Sequence, residues 1–143
     1  MKIRIIALLS LLTTLAFAHE GVELGPNGGR IIELSKNETL HGEVVVKKDR
    51  FHIALLDKDM KPVPLAGQTL TATTGDRKSP VKLEVTQDAK GFVIPVIKEG
   101  DWLILQFKTD AKAKTVTARM EYNTSNCSGC DKPEWLCQCH PTK

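Results

Sequence analysis

His41–Asp57 reads HGEVVVKKDRFHIALLD, and this stretch decides the fold. Val44, Val45 and Val46 place β-branched side chains in succession, which suits a strand from His41 to Lys47. Lys48-Asp49-Arg50 is a polar break short enough to close a hairpin. Past it, Phe51, Ile53 and Leu55 alternate with His52 and Ala54, so one face of a second strand, Phe51 to Leu56, turns toward a core. No sustained 3.6-residue apolar period follows His19 to compete with this pattern.

The same rhythm extends in both directions. Upstream, the turn Pro26-Asn27-Gly28-Gly29 leads into Arg30 to Leu34, and Ser35-Lys36-Asn37-Glu38 turns back toward His41. Downstream, Asp57-Lys58-Asp59 leads to Met60-Lys61-Pro62-Val63-Pro64, where two prolines forbid a central ladder position. Leu70 to Thr74, Val81 to Thr86, Phe92 to Ile97, Trp102 to Phe107 and Thr115 to Tyr122 follow, separated by Gly- and Asp-bearing turns. About eight mostly antiparallel strands at intervals of roughly ten residues predict an all-β fold, a β-sandwich. Alternation assigns Val81, Leu83 and Val85 to one core stripe and Val116, Ala118 and Met120 to another, with one buried and one wet face per sheet.

Composition excludes several classes. The chain has 143 residues, 20 Lys+Arg against 17 Asp+Glu, and a formal charge of +3. Lys2 and Arg4 supply two of those cations, so without them the balance is 18 against 17, or +1. Nucleic-acid binding needs a clustered basic surface, which this balance does not offer. Aromatics make up 5%, too few for a series of stacking platforms. No nucleophile–base set, paired carboxylates or phosphate-cradling glycine loop before a helix is visible, so no enzyme is expected.

The first 18 residues read as an export signal. Met1-Lys2-Ile3-Arg4 is basic, Ile5 to Ala18 is apolar, and Ala16-Phe17-Ala18 has the small-x-small form of a cleavage site. That run is shorter than the ~20 residues a membrane-spanning helix needs. The expected organisation is a signal at 1–18, a β-sandwich domain at 19–122 and a Cys-rich tail at 123–143, in a soluble protein of a bacterial periplasm without a membrane span after cleavage. That compartment is oxidising.

All four cysteines lie in the tail, as Cys127-Ser128-Gly129-Cys130 and then Cys137-Gln138-Cys139, followed by His140. The Ser128-Gly129 turn can aim two sulfurs at one ion, and Cys137, Cys139 and His140 add further donors. Such a set suits tetrahedral Zn²⁺ or, with fewer ligands, Cu⁺. Two disulfides are the alternative, with three possible pairings, leaving a non-catalytic envelope interaction module with a stapled tail. The loops they would close are short and stabilise little. A thiol-redox role lacks the helix N-terminus that would activate a Cys-x-x-Cys pair. Pro133-Glu134-Trp135-Leu136 reads as an apolar plug packing the tail on the sandwich, with a lid over a metal as its rival.

Histidines offer further candidate ligands. His19, as a first mature residue, combines an α-amine with an imidazole, a set that suits Cu²⁺. His41 and His52 sit on adjacent strands, either facing each other or offset, with His52 pointing outward.

Three segments together carry a resemblance: Gly25–Leu34 (GPNGGRIIEL), His41–Val46 (HGEVVV), and Leu55–Val63 (LLDKDMKPV). They resemble the small β-domain near the N-terminus of heavy-metal RND efflux adaptor proteins of the cobalt-zinc-cadmium and copper type, and of short exported proteins carrying that domain. The likeness covers roughly residues 22–65, and the rest to Tyr122 only in strand rhythm. It implies periplasmic metal handling, an RND-type efflux system or other envelope protein as partner, and correspondence of His41 to the family's recurrent histidine. The chain lacks the adaptor's coiled-coil and lipoyl-like parts and adds the cysteine tail. The likeness favours metal over stapling, with copper or zinc as the expected ion.

Overall fold

A computed structural model describes residues 22–139. The expected signal, His19 and His140 lie outside them. Nine strands form: β1 (Arg30–Glu33), β2 (Leu40–Lys47), β3 (Arg50–Asp57), β4 (Thr69–Thr74), β5 (Val81–Leu83), β6 (Thr86–Asp88), β7 (Gly91–Pro95), β8 (Trp102–Lys108) and β9 (Val116–Glu121). They make a five-stranded sheet in the order β1-β2-β3-β7-β6 and a four-stranded sheet in the order β5-β4-β8-β9. Every pairing is antiparallel.

The β2–β3 hairpin forms where the sequence places it. Lys47 pairs with Arg50 across a two-residue loop, and Lys48 and Asp49 take φ of 48° and 58°. Two successive left-handed residues match the right-handed twist of the flanking strands. Phe51, Ile53 and Leu55 from this hairpin meet Leu103, Leu105 and Phe107 of the other sheet in one core. Phe92 and Phe107 meet edge to face across it, with ring centroids 6.4 Å apart.

One expected strand is in fact two. The segment from Val81 to Thr86 supplies β5 to the four-stranded sheet and then β6 to the five-stranded sheet. The chain crosses between layers at Glu84-Val85, so no single face persists along the segment. Val81, assigned to the core by alternation, is 56% exposed, while Leu83 and Val85 are half-buried.

The outer face of the five-stranded sheet is also not wet throughout. Glu43 points outward and yet is fully buried. Its carboxylate accepts hydrogen bonds from the Asn27 amide (2.7 Å), the Asn27 side chain (2.8 Å) and the Gly29 amide (3.0 Å). Three donors satisfy a charge that would otherwise be costly to bury. The Gly25–Gly29 turn wraps this carboxylate so closely that a Cβ at Gly25 would lie 2.5 Å from Glu43 Cδ. A Cβ at Gly29 would lie 2.5 Å from the Val44 carbonyl oxygen. The glycine-rich turn and the acid two residues after His41 thus form one structural unit. Among the described residues no helix is long and apolar enough to cross a membrane.

Candidate metal centre

The tail is built onto the sandwich chiefly through one side chain, Trp135. After β9, Asn123 and Ser125 accept backbone hydrogen bonds from Trp135 (3.0 Å) and Glu134 (2.9 Å), which draws the loop between them into a closed hairpin. Within it the Cys127 amide donates to the Lys132 carbonyl at 2.8 Å, and Asp131 takes a left-handed φ of 55°. A short 3-10 turn, Glu134–Leu136, then lowers Trp135 into the core, where it is 5% exposed. Its ring lies edge-on to Phe51 and Tyr122, with centroids 6.2 Å and 5.5 Å away. The plug expected at Pro133–Leu136 is therefore present, and its ring packs on the sandwich. Arg30 Nη1 donates to the Trp135 carbonyl (3.4 Å), and the Val22 amide donates to the Cys137 carbonyl (3.1 Å).

Anchored on both sides of Trp135, the two cysteine pairs converge. The four Sγ atoms of Cys127, Cys130, Cys137 and Cys139 all lie within 4.8 Å of one another. Individual separations are 3.1 Å for Cys127–Cys137, 3.6 Å for Cys130–Cys137 and 3.7 Å for Cys127–Cys139. A tetrahedral ion with metal–sulfur bonds of about 2.3 Å sets its sulfurs about 3.8 Å apart. These three separations are all shorter than that value, by less than about 1 Å, a shift that χ1 adjustments can supply. No disulfide joins these four cysteines.

The backbone supports negative charge on these sulfurs. Gly129 N–H points at Cys127 Sγ (3.4 Å) and Cys139 N–H at Cys137 Sγ (3.3 Å). The Lys132 amide does the same for Cys130 and is the main reason its thiol is lowered to about 7, with a hydrogen bond from Cys139 next. Each of these sulfurs takes its amide from two residues further on, so one local turn geometry is used three times. Cys137 and Cys139 shift the other way. Cys137 is raised chiefly by its hydrogen bond with Cys127, and Cys139 by those with Cys130, Cys137 and Cys127. The local amide and the neighbouring thiols thus make Cys130 the most acidic of the three shifted thiols. A cation that replaces the thiol protons is the natural partner of the full set.

Gly129 has a role that spacing alone did not reveal. A Cβ there would lie 3.0 Å from Cys139 Sγ, within the space the sulfurs share. Arg30 and the Val22 amide were likewise missed, because their contacts with the tail span more than a hundred residues of chain.

The histidines do not join this cluster among the described residues. His41 pairs with Glu33 across β1–β2, and its Nδ1 lies 2.8 Å from Glu33 Oε1. His52 faces Asp88 at 3.4 Å on the sheet surface. In the β2–β3 ladder His41 lies opposite Leu56 and His52 opposite Val45. The two rings are therefore offset by four positions, roughly 13 Å along the strands, and do not face each other.

Comparison with protein-family models, curated proteins and solved structures found no match for this chain.

Proposed function

We propose that this chain is an exported heavy-metal-binding protein of the bacterial periplasm. It would act as a scavenger or chaperone that passes a thiophilic ion, copper or zinc, to or from an RND-type efflux system. The observation that carries the metal-binding part is the convergence of four sulfurs within 4.8 Å. The all-sulfur donor set and its near-tetrahedral spacing suit Zn²⁺ and Cu⁺ better than hard cations. Cys130, Cys137 and Cys139 are half-buried and not sealed, which leaves room for an incoming thiol to exchange the ion. That exposure favours a carrier over a purely structural site. Export is supported by the basic, apolar and small-residue order of residues 1–18, and the efflux connection by the resemblance of residues 22–65 to adaptor domains.

Purification under anaerobic conditions, thiol counting and titration with Zn²⁺ and with Cu⁺ test this function. Four free thiols and tight uptake of one ion are expected, the uptake being lost in a Cys127→Ser/Cys130→Ser double variant. Two intact disulfides in freshly isolated periplasmic protein, with no tight uptake after reduction, would overturn it. Full affinity in the double variant would move the site away from the sulfurs.

A further inference from the structure

The outer face of the four-stranded sheet carries a second feature, which shares no residue with the cysteine cluster. Trp102 is 49% exposed, and it and Val81 are the large apolar side chains left exposed among the described residues. Trp102 begins β8, so its ring stands at the end of the sheet. Ile104, two residues on, shares its face. Register places Lys82, Thr73, Ile104 and Arg119 in one row across β5, β4, β8 and β9, all pointing outward. The loop after β4 starts at Gly75, with a φ of 87°, and carries Arg77 over the same end. Together Gly75, Asp76, Arg77, Trp102, Ile104 and Arg119 line an open groove of about 450 Å³.

The charges in this groove are unequal in what they are free to do. Arg77 and Arg119 are in no ion pair and no side-chain hydrogen bond among the described residues. Asp76, the acid on the rim, already accepts the Lys78 and Ser79 amides through Oδ1, both at 2.8 Å. Glu121, opposite Trp102 in the ladder, lies in the field of Arg30. What remains is an aliphatic floor, one indole wall and two free guanidinium forks, with Lys82 at the far end of the row.

We propose that this groove docks a short acidic segment of a partner protein, in which carboxylates flank an apolar side chain. Guanidinium groups recognise carboxylates through paired N–H donors, and Trp and Arg are the residues that most often anchor interfaces. Carboxylates spaced along a chain can meet Arg77 and Arg119 while the apolar residue between them covers Ile104 against Trp102.

The test uses the full chain and two acetylated, amidated pentapeptides, Glu-Leu-Glu-Leu-Glu and Gln-Leu-Gln-Leu-Gln. Nuclear magnetic resonance follows the Trp102 indole N–H, assigned with Trp102→Ser, whose outward side chain is dispensable for the core. Expected is a saturable shift with the acidic peptide and none with the neutral one. Raising salt should weaken binding, and Arg77→Gln or Arg119→Gln should each weaken it about tenfold. Equal binding of the neutral peptide, or unchanged binding in both arginine variants, overturns the proposal. So does a response of the same resonance to oligogalacturonate or phosphatidylglycerol vesicles but not to the acidic peptide. Concentration-dependent dimerisation abolished by Trp102→Ser would instead make the groove a contact between copies, and also overturns it.

Discussion

Replacing Trp135 with alanine tests whether the tail belongs to the core. The indole is 5% exposed and sits edge-on to Phe51 and Tyr122. Truncating a buried tryptophan costs about 3–5 kcal/mol, and its two aromatic contacts place this site in the upper part of that range. A loss of about 4 kcal/mol is a large share of a stability that is typically about 5–15 kcal/mol. For a domain of this size it corresponds to a fall in Tm of roughly 12–16 °C. Urea denaturation and thermal melts of the metal-free protein, followed by far-ultraviolet circular dichroism, measure it directly. Trp135→Phe retains a ring and should lose no more than about half as much. A loss below about 1 kcal/mol for Trp135→Ala, with an unchanged transition for the sandwich, would refute the placement. The tail would then be an appendage beginning at residue 123, and the cysteines would converge for some reason other than this anchor.

Three further outcomes follow from the same structure. Glu43→Gln keeps the side chain's size but sets an amide against the Asn27 and Gly29 donors, so it should destabilise by about 2–4 kcal/mol in urea titrations. Gly129→Val puts bulk beside Cys139 Sγ, so it should lower Zn²⁺ affinity at least about tenfold while leaving the Tm of the metal-free protein within about 2 °C. Metal uptake should also depend on pH through Cys130, whose thiol is lowered to about 7. Below that value the ion must displace a proton that is already absent above it, so affinity drops as the pH is lowered through about 7. Titrations in buffers of differing ionisation enthalpy should show roughly one more proton released per ion at pH 6 than at pH 8. Equal release at both pH values would contradict the lowered Cys130.

Much of this protein is legible from local pattern. Side chains in a strand alternate by a geometry that needs no partner, so Phe51, Ile53 and Leu55 announce a buried face, and Lys48-Asp49 marks the hairpin. Cysteine spacing announces sulfur chemistry in the same way, because Ser128-Gly129 and Gln138 are the only spacers within each pair. The architecture and the four-cysteine candidate site were both within reach of such reasoning.

Tertiary structure alone decided the rest. Alternation says which way a side chain points but not which sheet its strand joins, so the crossing at Glu84-Val85 and the exposure of Val81 had no local signal. Glu43 looks like a wet-face acid until a turn from fourteen to sixteen residues earlier folds over it and supplies three donors. The distances among the sulfurs depend on Trp135 seating itself against Phe51 and Tyr122, residues that reach it only after both sheets have closed. Sequence determined that the donors exist and that their hosts are strands and turns, since those properties arise between near neighbours. Their convergence is set by contacts between distant parts of the chain, which packing creates and spacing does not encode.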